Sequence, residues 1–137
     1  MAGYSAKPLV QKLGLKSGST IAVLGAPRGY ARTLGRLPSG VTRRTSAVGP
    51  LDFIQFFTSE KQELERRFVA LARALSPAGM LWISWPKRSS GVATDLTEDV
   101  VRVIGLAHGL VDVKVAAVDD VWSGLKFVRR VKDRGAR

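Results

Sequence analysis

Apolar positions along this chain recur with two different periods, and the switches between them divide it into alternating helices and strands. Pro8 to Leu13 groups Leu9, Val10 and Leu13 and predicts a short helix ended by Gly14, with Lys16-Ser17-Gly18-Ser19 as a turn. Thr20 to Leu24 is an unbroken, β-branched apolar run, the pattern of a strand covered on both faces in a parallel sheet. Beyond Gly25-Ala26-Pro27, the segment Arg28 to Leu37 reads as a helix with Tyr30, Leu34 and Leu37 inward and Arg28, Arg32 and Arg36 outward. Gly29 and Gly35 each weaken that helix by about 1 kcal/mol relative to alanine. Val41 to Thr45, with two arginines, predicts a short strand at a sheet edge.

Leu51 to Phe57 is a strong aromatic strand signal between Gly49-Pro50 and Thr58-Ser59. A helix follows, for which Ser59 and Gln62 have capping-box spacing and Leu64, Phe68, Leu71 and Leu75 form the apolar stripe. Ser76-Pro77-Ala78-Gly79 is expected to end it, and Met80 to Trp85 to form a second buried strand stopped by Pro86. Thr94 or Asp95 can cap a further helix that buries Val100, Val101, Ile104 and Ala107 and ends at His108-Gly109. Val111, Val113, Val115 and Ala117 alternate onto one strand face, and a second strand, Trp122 to Val131, pairs with it as a hairpin. The expected fold is α/β: a single Rossmann-like domain over residues 1–131, with a mostly parallel sheet, a C-terminal antiparallel hairpin and a disordered basic tail at 132–137.

Composition narrows the chemistry. The 137 residues hold no cysteine and one histidine, which removes disulfides, thiolate metal sites and cysteine nucleophiles, and no metal is expected. Neither a long apolar run nor the apolar core of a signal peptide occurs, because Lys7 and Lys12 interrupt the first apolar stretch, so a cytoplasmic protein without membrane contact is expected. The net charge of +11 is unevenly spread: residues 1–51 carry eight basic and no acidic side chains, 52–125 eight basic and ten acidic, and 126–137 six basic and one acidic. Such a field favours an anionic small molecule, an acidic partner or nucleic acid.

In an open α/β sheet the ligand site lies beyond the C-terminal strand ends, so three turns should converge there. Gly25, Ala26, Arg28 and Gly29 join a strand to a helix through small residues, which suits backbone N–H groups to an anion, although Pro27 removes one donor. Thr58 follows the strand Leu51 to Phe57, the second to reach this edge. Lys87, Arg88, Ser89 and Ser90 follow the third, with two cations and two hydroxyls. Asp95, Glu98 and Asp99 suit a helix dipole, His108 suits a helix C-terminus, and Asp119-Asp120 suits a turn. No set of catalytic residues can be assembled from these groups. Of the tryptophans, Trp82 belongs in the core by strand alternation.

Several strings carry a resemblance: Tyr4-Ser5, Pro8-Leu9, Lys12-Leu13-Gly14, Leu24-Gly25-Ala26-Pro27, Gly49-Pro50-Leu51-Asp52, Trp82-Ile83-Ser84-Trp85-Pro86-Lys87, Ser90-Gly91, Thr94-Asp95-Leu96-Thr97-Glu98 and Trp122-Ser123-Gly124-Leu125. With these the chain resembles a family of short bacterial proteins catalogued as a domain of unknown function. Its element order is also similar to a shortened class I S-adenosylmethionine-dependent methyltransferase, which implies methyltransferase-like topology and S-adenosylmethionine as an alternative ligand. Two features differ from those enzymes: Ala-Pro-Arg stands between the glycines of the first turn, and the second strand ends in Arg43-Arg44 without a ribose-binding acid. The expectation is therefore a module, non-catalytic or cryptic and without cofactor, that binds an anionic ligand or partner at the strand-end rim. The alternatives are a methyltransferase, or a nucleic-acid-binding protein using Arg28, Arg32, Arg36, Arg43, Arg44 and the C-terminal tail.

Overall fold

The computed structural model describes residues 7–135; Tyr4-Ser5 and the last two residues of the basic tail lie outside them. The elements are α1 (Leu9–Lys12), β1 (Thr20–Leu24), α2 (Tyr30–Leu34), β2 (Thr42–Arg44), β3 (Leu51–Phe57), α3 (Lys61–Arg73), β4 (Leu75–Pro86), α4 (Glu98–Ala107), β5 (Leu110–Ala117) and β6 (Trp122–Arg129). Short 3-10 turns lie at Arg88–Ser90 and Val131–Asp133, and Arg134 Nε donates to the Arg129 carbonyl. One six-stranded sheet has the order β2-β1-β3-β4-β6-β5. Strands β2, β1, β3 and β4 run parallel, and β4, β6 and β5 pair antiparallel. This is the Rossmann-like α/β arrangement with a terminal hairpin that the periodicity predicts.

Alternation along the central strands sorts the core into two layers. Ala22, Ile54, Phe56, Leu81 and Ile83 face α3 and α4, while Ile21, Phe53, Phe57 and Trp82 face α1 and α2. Trp82 is wholly buried, and its indole N–H donates to the Leu13 carbonyl at 2.9 Å, fixing α1 to the sheet.

Local chemistry moved several boundaries. The helix expected over Arg28 to Leu37 is only five residues long, because Gly29 and Gly35 both hold positive φ (84°) and stop it at either end. The expected capping box at Ser59 and Gln62 does not form. Instead Glu60 is the N-cap residue of α3, Thr58 Oγ1 takes the Glu60 N–H and donates to Glu63, and the Lys61 N–H is held by Asp95 Oδ1 at 2.8 Å. Asp95 is thereby spent on α3, and Thr97 rather than Thr94 or Asp95 caps α4 by accepting from the Val100 N–H. The stretch Ser76 to Gly79, expected as a turn, lies inside β4, which starts at Leu75 beside Leu51. In β5 a register shift between Asp112 and Lys114 breaks the expected alternation, so Val113 and Val115 are exposed while Ala116 is buried.

Candidate functional site

Because β1, β3 and β4 are parallel, the peptides after Leu24, Phe57 and Pro86 leave the sheet at one edge. The parallel register puts Leu24 beside Phe56 and Phe57 beside Ser84, and the Thr58 N–H donates to the Ser84 carbonyl at 3.0 Å. The Lys87 N–H donates to the Val121 carbonyl at 2.7 Å, so the turn of the β5-β6 hairpin is fastened to the same rim. With β3 between them, the Gly25 turn and the Lys87 turn stand about 10 Å apart, two strand spacings.

The first turn keeps its shape through its glycines. Gly25 and Gly29 hold φ of 69° and 84°. A Cβ on Gly25 would stand 2.7 Å from the Phe57 carbonyl oxygen, so glycine is needed there for packing. At Gly29 the same construction meets nothing within 4 Å, so the space over the turn is open. Ala26, Arg28 and Gly29 are exposed around it.

Behind the rim runs a buried polar ladder. Tyr30 Oη donates to Gln55 Oε1 at 2.6 Å, and Gln55 Nε2 donates to Ser84 Oγ at 3.1 Å, linking α2, β3 and β4. Burial pushes the Tyr30 phenol above its ordinary range, against the opposing hydrogen bond to Gln55. The Phe57 ring lies edge-on to both Tyr30 and Trp122, at centroid distances of 4.7 and 5.1 Å.

The third turn borders a cleft of about 530 Å³, whose polar wall is made by Lys87, Arg88, Thr97 and Glu98, with Trp85 and Ser123 beneath. Two expected contributors stand elsewhere. Ser90 Oγ donates to the Lys87 carbonyl and accepts from the Val92 N–H, so it shapes the loop, while Ser89 is exposed and outside the cleft wall. Thr58, buried, is engaged with Glu60 and Glu63 at the start of α3. The structure thus places Gly25, Ala26, Arg28 and Gly29 at one end of the rim and Lys87 and Arg88 at the other. Gln55, Ser84 and Ser123 were missed by sequence reasoning. The first two carry a usable signal, since each is a polar residue inside an otherwise apolar strand run. Ser123 carries none, because only the hairpin's pairing with β4 brings it to the cleft.

No family model matches the chain, and no curated protein does. Solved structures do. A S-adenosylmethionine-dependent methyltransferase from Aquifex aeolicus superposes with a TM-score of 0.64 at 17% identity, over 87% of this chain and 86% of that one. The fold is methyltransferase-like. Precorrin-6y C5,15-methyltransferase from Geobacter metallireducens matches with a TM-score of 0.58 at 12% identity, over 94% of both chains. Magnesium protoporphyrin IX methyltransferase from Synechocystis, solved with S-adenosylmethionine bound, matches with a TM-score of 0.56 at 13% identity, over 89% of this chain and 74% of that one.

The expectation of no cofactor is corrected by these neighbours, one of which is solved with S-adenosylmethionine bound. The physical reason for the correction is that a phosphate or carboxylate responds to turn geometry rather than to a string of residues. The left-handed glycines and open space survive the substitution of Ala26-Pro27-Arg28. At the turn, the exposed Arg28 places a positive charge beside the open space over Gly29. The ribose end has a different donor set from the one that the resemblance implies, since β2 ends in the exposed Arg43-Arg44 followed by Thr45 and Ser46. Among the described residues no helix is long and apolar enough to cross a membrane.

Proposed function

We propose that this protein is a S-adenosylmethionine-dependent methyltransferase that takes an anionic substrate in the cleft beside the cofactor turn. The observation that carries the reading is the single rim on which the parallel strands place an open, left-handed glycine turn and, two strands away, a cleft edged by Lys87 and Arg88. When bound, S-adenosylmethionine supplies an electrophilic methyl group. The chain's own residues bind and orient. Gly29 leaves room for a ligand against the turn, and Arg28 offers a charge to a carboxylate. The Tyr30-Gln55-Ser84 ladder holds the floor of the rim rigid, and Lys87 and Arg88 select a negatively charged partner.

Calorimetric titration with S-adenosylmethionine and S-adenosylhomocysteine, followed by amide shifts of the labelled chain, tests this reading. Saturable binding with shifts at Gly25, Ala26 and Gly29 is the expected result. Absence of binding at millimolar ligand would remove the cofactor and the proposed reaction with it.

A nucleic-acid substrate is a narrower reading, favoured by Arg32, Arg36, Arg43 and Arg44, all exposed on α2, β2 and the segment between them. It predicts oligonucleotide affinity that falls steeply between 50 and 200 mM salt, roughly tenfold or more for every few phosphates contacted. A flat salt response rejects it.

A further inference from the structure

The β5-β6 hairpin turn is fastened at the rim, so Leu110 and Arg129, opposite each other on those strands, lie at the far end of the sheet. A cavity of about 310 Å³ opens there between the ends of α3 and α4 and the paired strands. Arg73 lies on its wall, one helical turn beyond Val69 and on the same face of α3. Arg129, also on the wall, is held in place: its Nη2 donates to the Ala72 carbonyl at 2.8 Å and to the Leu75 carbonyl at 2.7 Å, which sets the guanidinium beside the backbone that carries Arg73. Those carbonyls take only Nη2 and leave Nε and Nη1, and neither arginine pairs with a carboxylate among the described residues. The ring of His108 rests on Phe68, with centroids 5.0 Å apart, and its Nδ1 lies 2.9 Å from the Ile104 carbonyl. A carbonyl only accepts, so Nδ1 carries the proton and Nε2 is left for a ligand. Val69 and Leu110 make the apolar part of the wall, and beside them an added Cβ on Gly109 would meet nothing within 4 Å. Asp133 is the one carboxylate among the lining residues.

We infer that this cavity is a second ligand site, for a phosphate monoester whose phosphoryl oxygens meet Arg73 and Arg129 and whose organic part lies against Val69 and Leu110. Two guanidinium forks outnumber the one carboxylate, so the wall selects an anion. A monoester offers three terminal oxygens, enough for both forks and His108, whereas the two oxygens of a carboxylate are used up by a single fork. The volume lies at the small end of organic-ligand pockets, which run from about 300 Å³ and combine apolar walls with a few placed polar groups. Because α3 already orders Arg129, binding does not have to immobilise that side chain. The inference is independent of the methyltransferase reading, since no residue is shared with the rim.

The test is titration of the labelled full chain with phenyl phosphate, inorganic phosphate and benzoate, each at matched ionic strength in chloride. Saturable amide shifts at Ala72, Gly109 and Leu110 are expected with phenyl phosphate, which should bind about tenfold more tightly than either of the other probes. Inorganic phosphate lacks the apolar part and benzoate lacks the third oxygen. Arg73→Met, at an exposed position, should weaken phenyl phosphate by about tenfold, and Asp133→Asn should strengthen it by removing a like charge. Shifts that never saturate, shifts confined to the glycine turn, equal affinity for benzoate or inorganic phosphate, or affinity unmoved by Arg73→Met would overturn the site.

Discussion

Two glycines of the same turn separate packing from ligand space. Both hold left-handed φ, so alanine at either position costs roughly 1–2 kcal/mol in backbone conformation. Only at Gly25 does the new methyl also run into a carbonyl, that of Phe57. Urea denaturation should therefore show Gly25→Ala losing clearly more stability than Gly29→Ala; equal losses would mean that β3 moves aside without cost. Tyr30 gives a pH prediction with a definite sign. Its folded-state pKa is raised from the ordinary 10.0, so above that pH the unfolded chain releases a proton that the native state keeps. Its contribution is complete below pH 10 and declines as pH rises past it. Stability measured across alkaline pH should fall in the wild type, and Tyr30→Phe should flatten that fall. The variant should also be less stable at neutral pH by about 1–3 kcal/mol, because Gln55 Oε1 loses its buried donor.

Among the elements, the helices differ in what starts them. The first turn of α4 carries Glu98 and Asp99, and its cap is Thr97 Oγ1, 3.2 Å from the Val100 N–H. Thr97→Ala should cost about 1 kcal/mol by thermal or urea unfolding, whereas Thr94→Ala, if Thr94 were the cap, would cost as much on the same account. The structure gives Thr94 another task, donating to the Ser59 carbonyl at 2.6 Å and tying the α4 approach to the start of α3. Strand and helix identities were legible because each buries one stripe or a whole run, and periodicity reports burial. Starts and stops were less legible. Ser59, Thr94, Thr97 and Asp95 are all competent caps by residue type, and the choice among them followed from which N–H stood within reach after β3, β4 and the helices had packed. The five-residue α2 shows the converse, since Gly29 and Gly35 announced its weakness beforehand.

For the whole molecule, basic charge is unevenly neutralised. Arg102 gathers Glu98, Asp99 and Asp112 on the α4 side, while the α1 and α2 side holds Lys12, Lys16, Arg32, Arg36, Lys114 and Lys126. Stability should accordingly rise with added salt at low ionic strength as repulsion among these lysines and arginines is screened, a trend that calorimetry or thermal melts can read. Lys114→Met should shrink that gain, and an unchanged salt slope would show that Lys114 and Lys126, paired across β5 and β6, do not repel.

The order of periods along the chain determined the α/β class, the parallel direction of β1, β3 and β4, and the turns that would face a ligand, because burial on one or both faces of an element is written in its own spacing. Tertiary structure decided what those turns became. Thr58 and Ser90 were diverted into caps and loop bonds, Ser123 was carried to the cleft from the hairpin, and Lys114 was set against Lys126 by a bulge in β5. Each of these outcomes depends on distances between residues far apart in sequence, and no local pattern encodes such a distance.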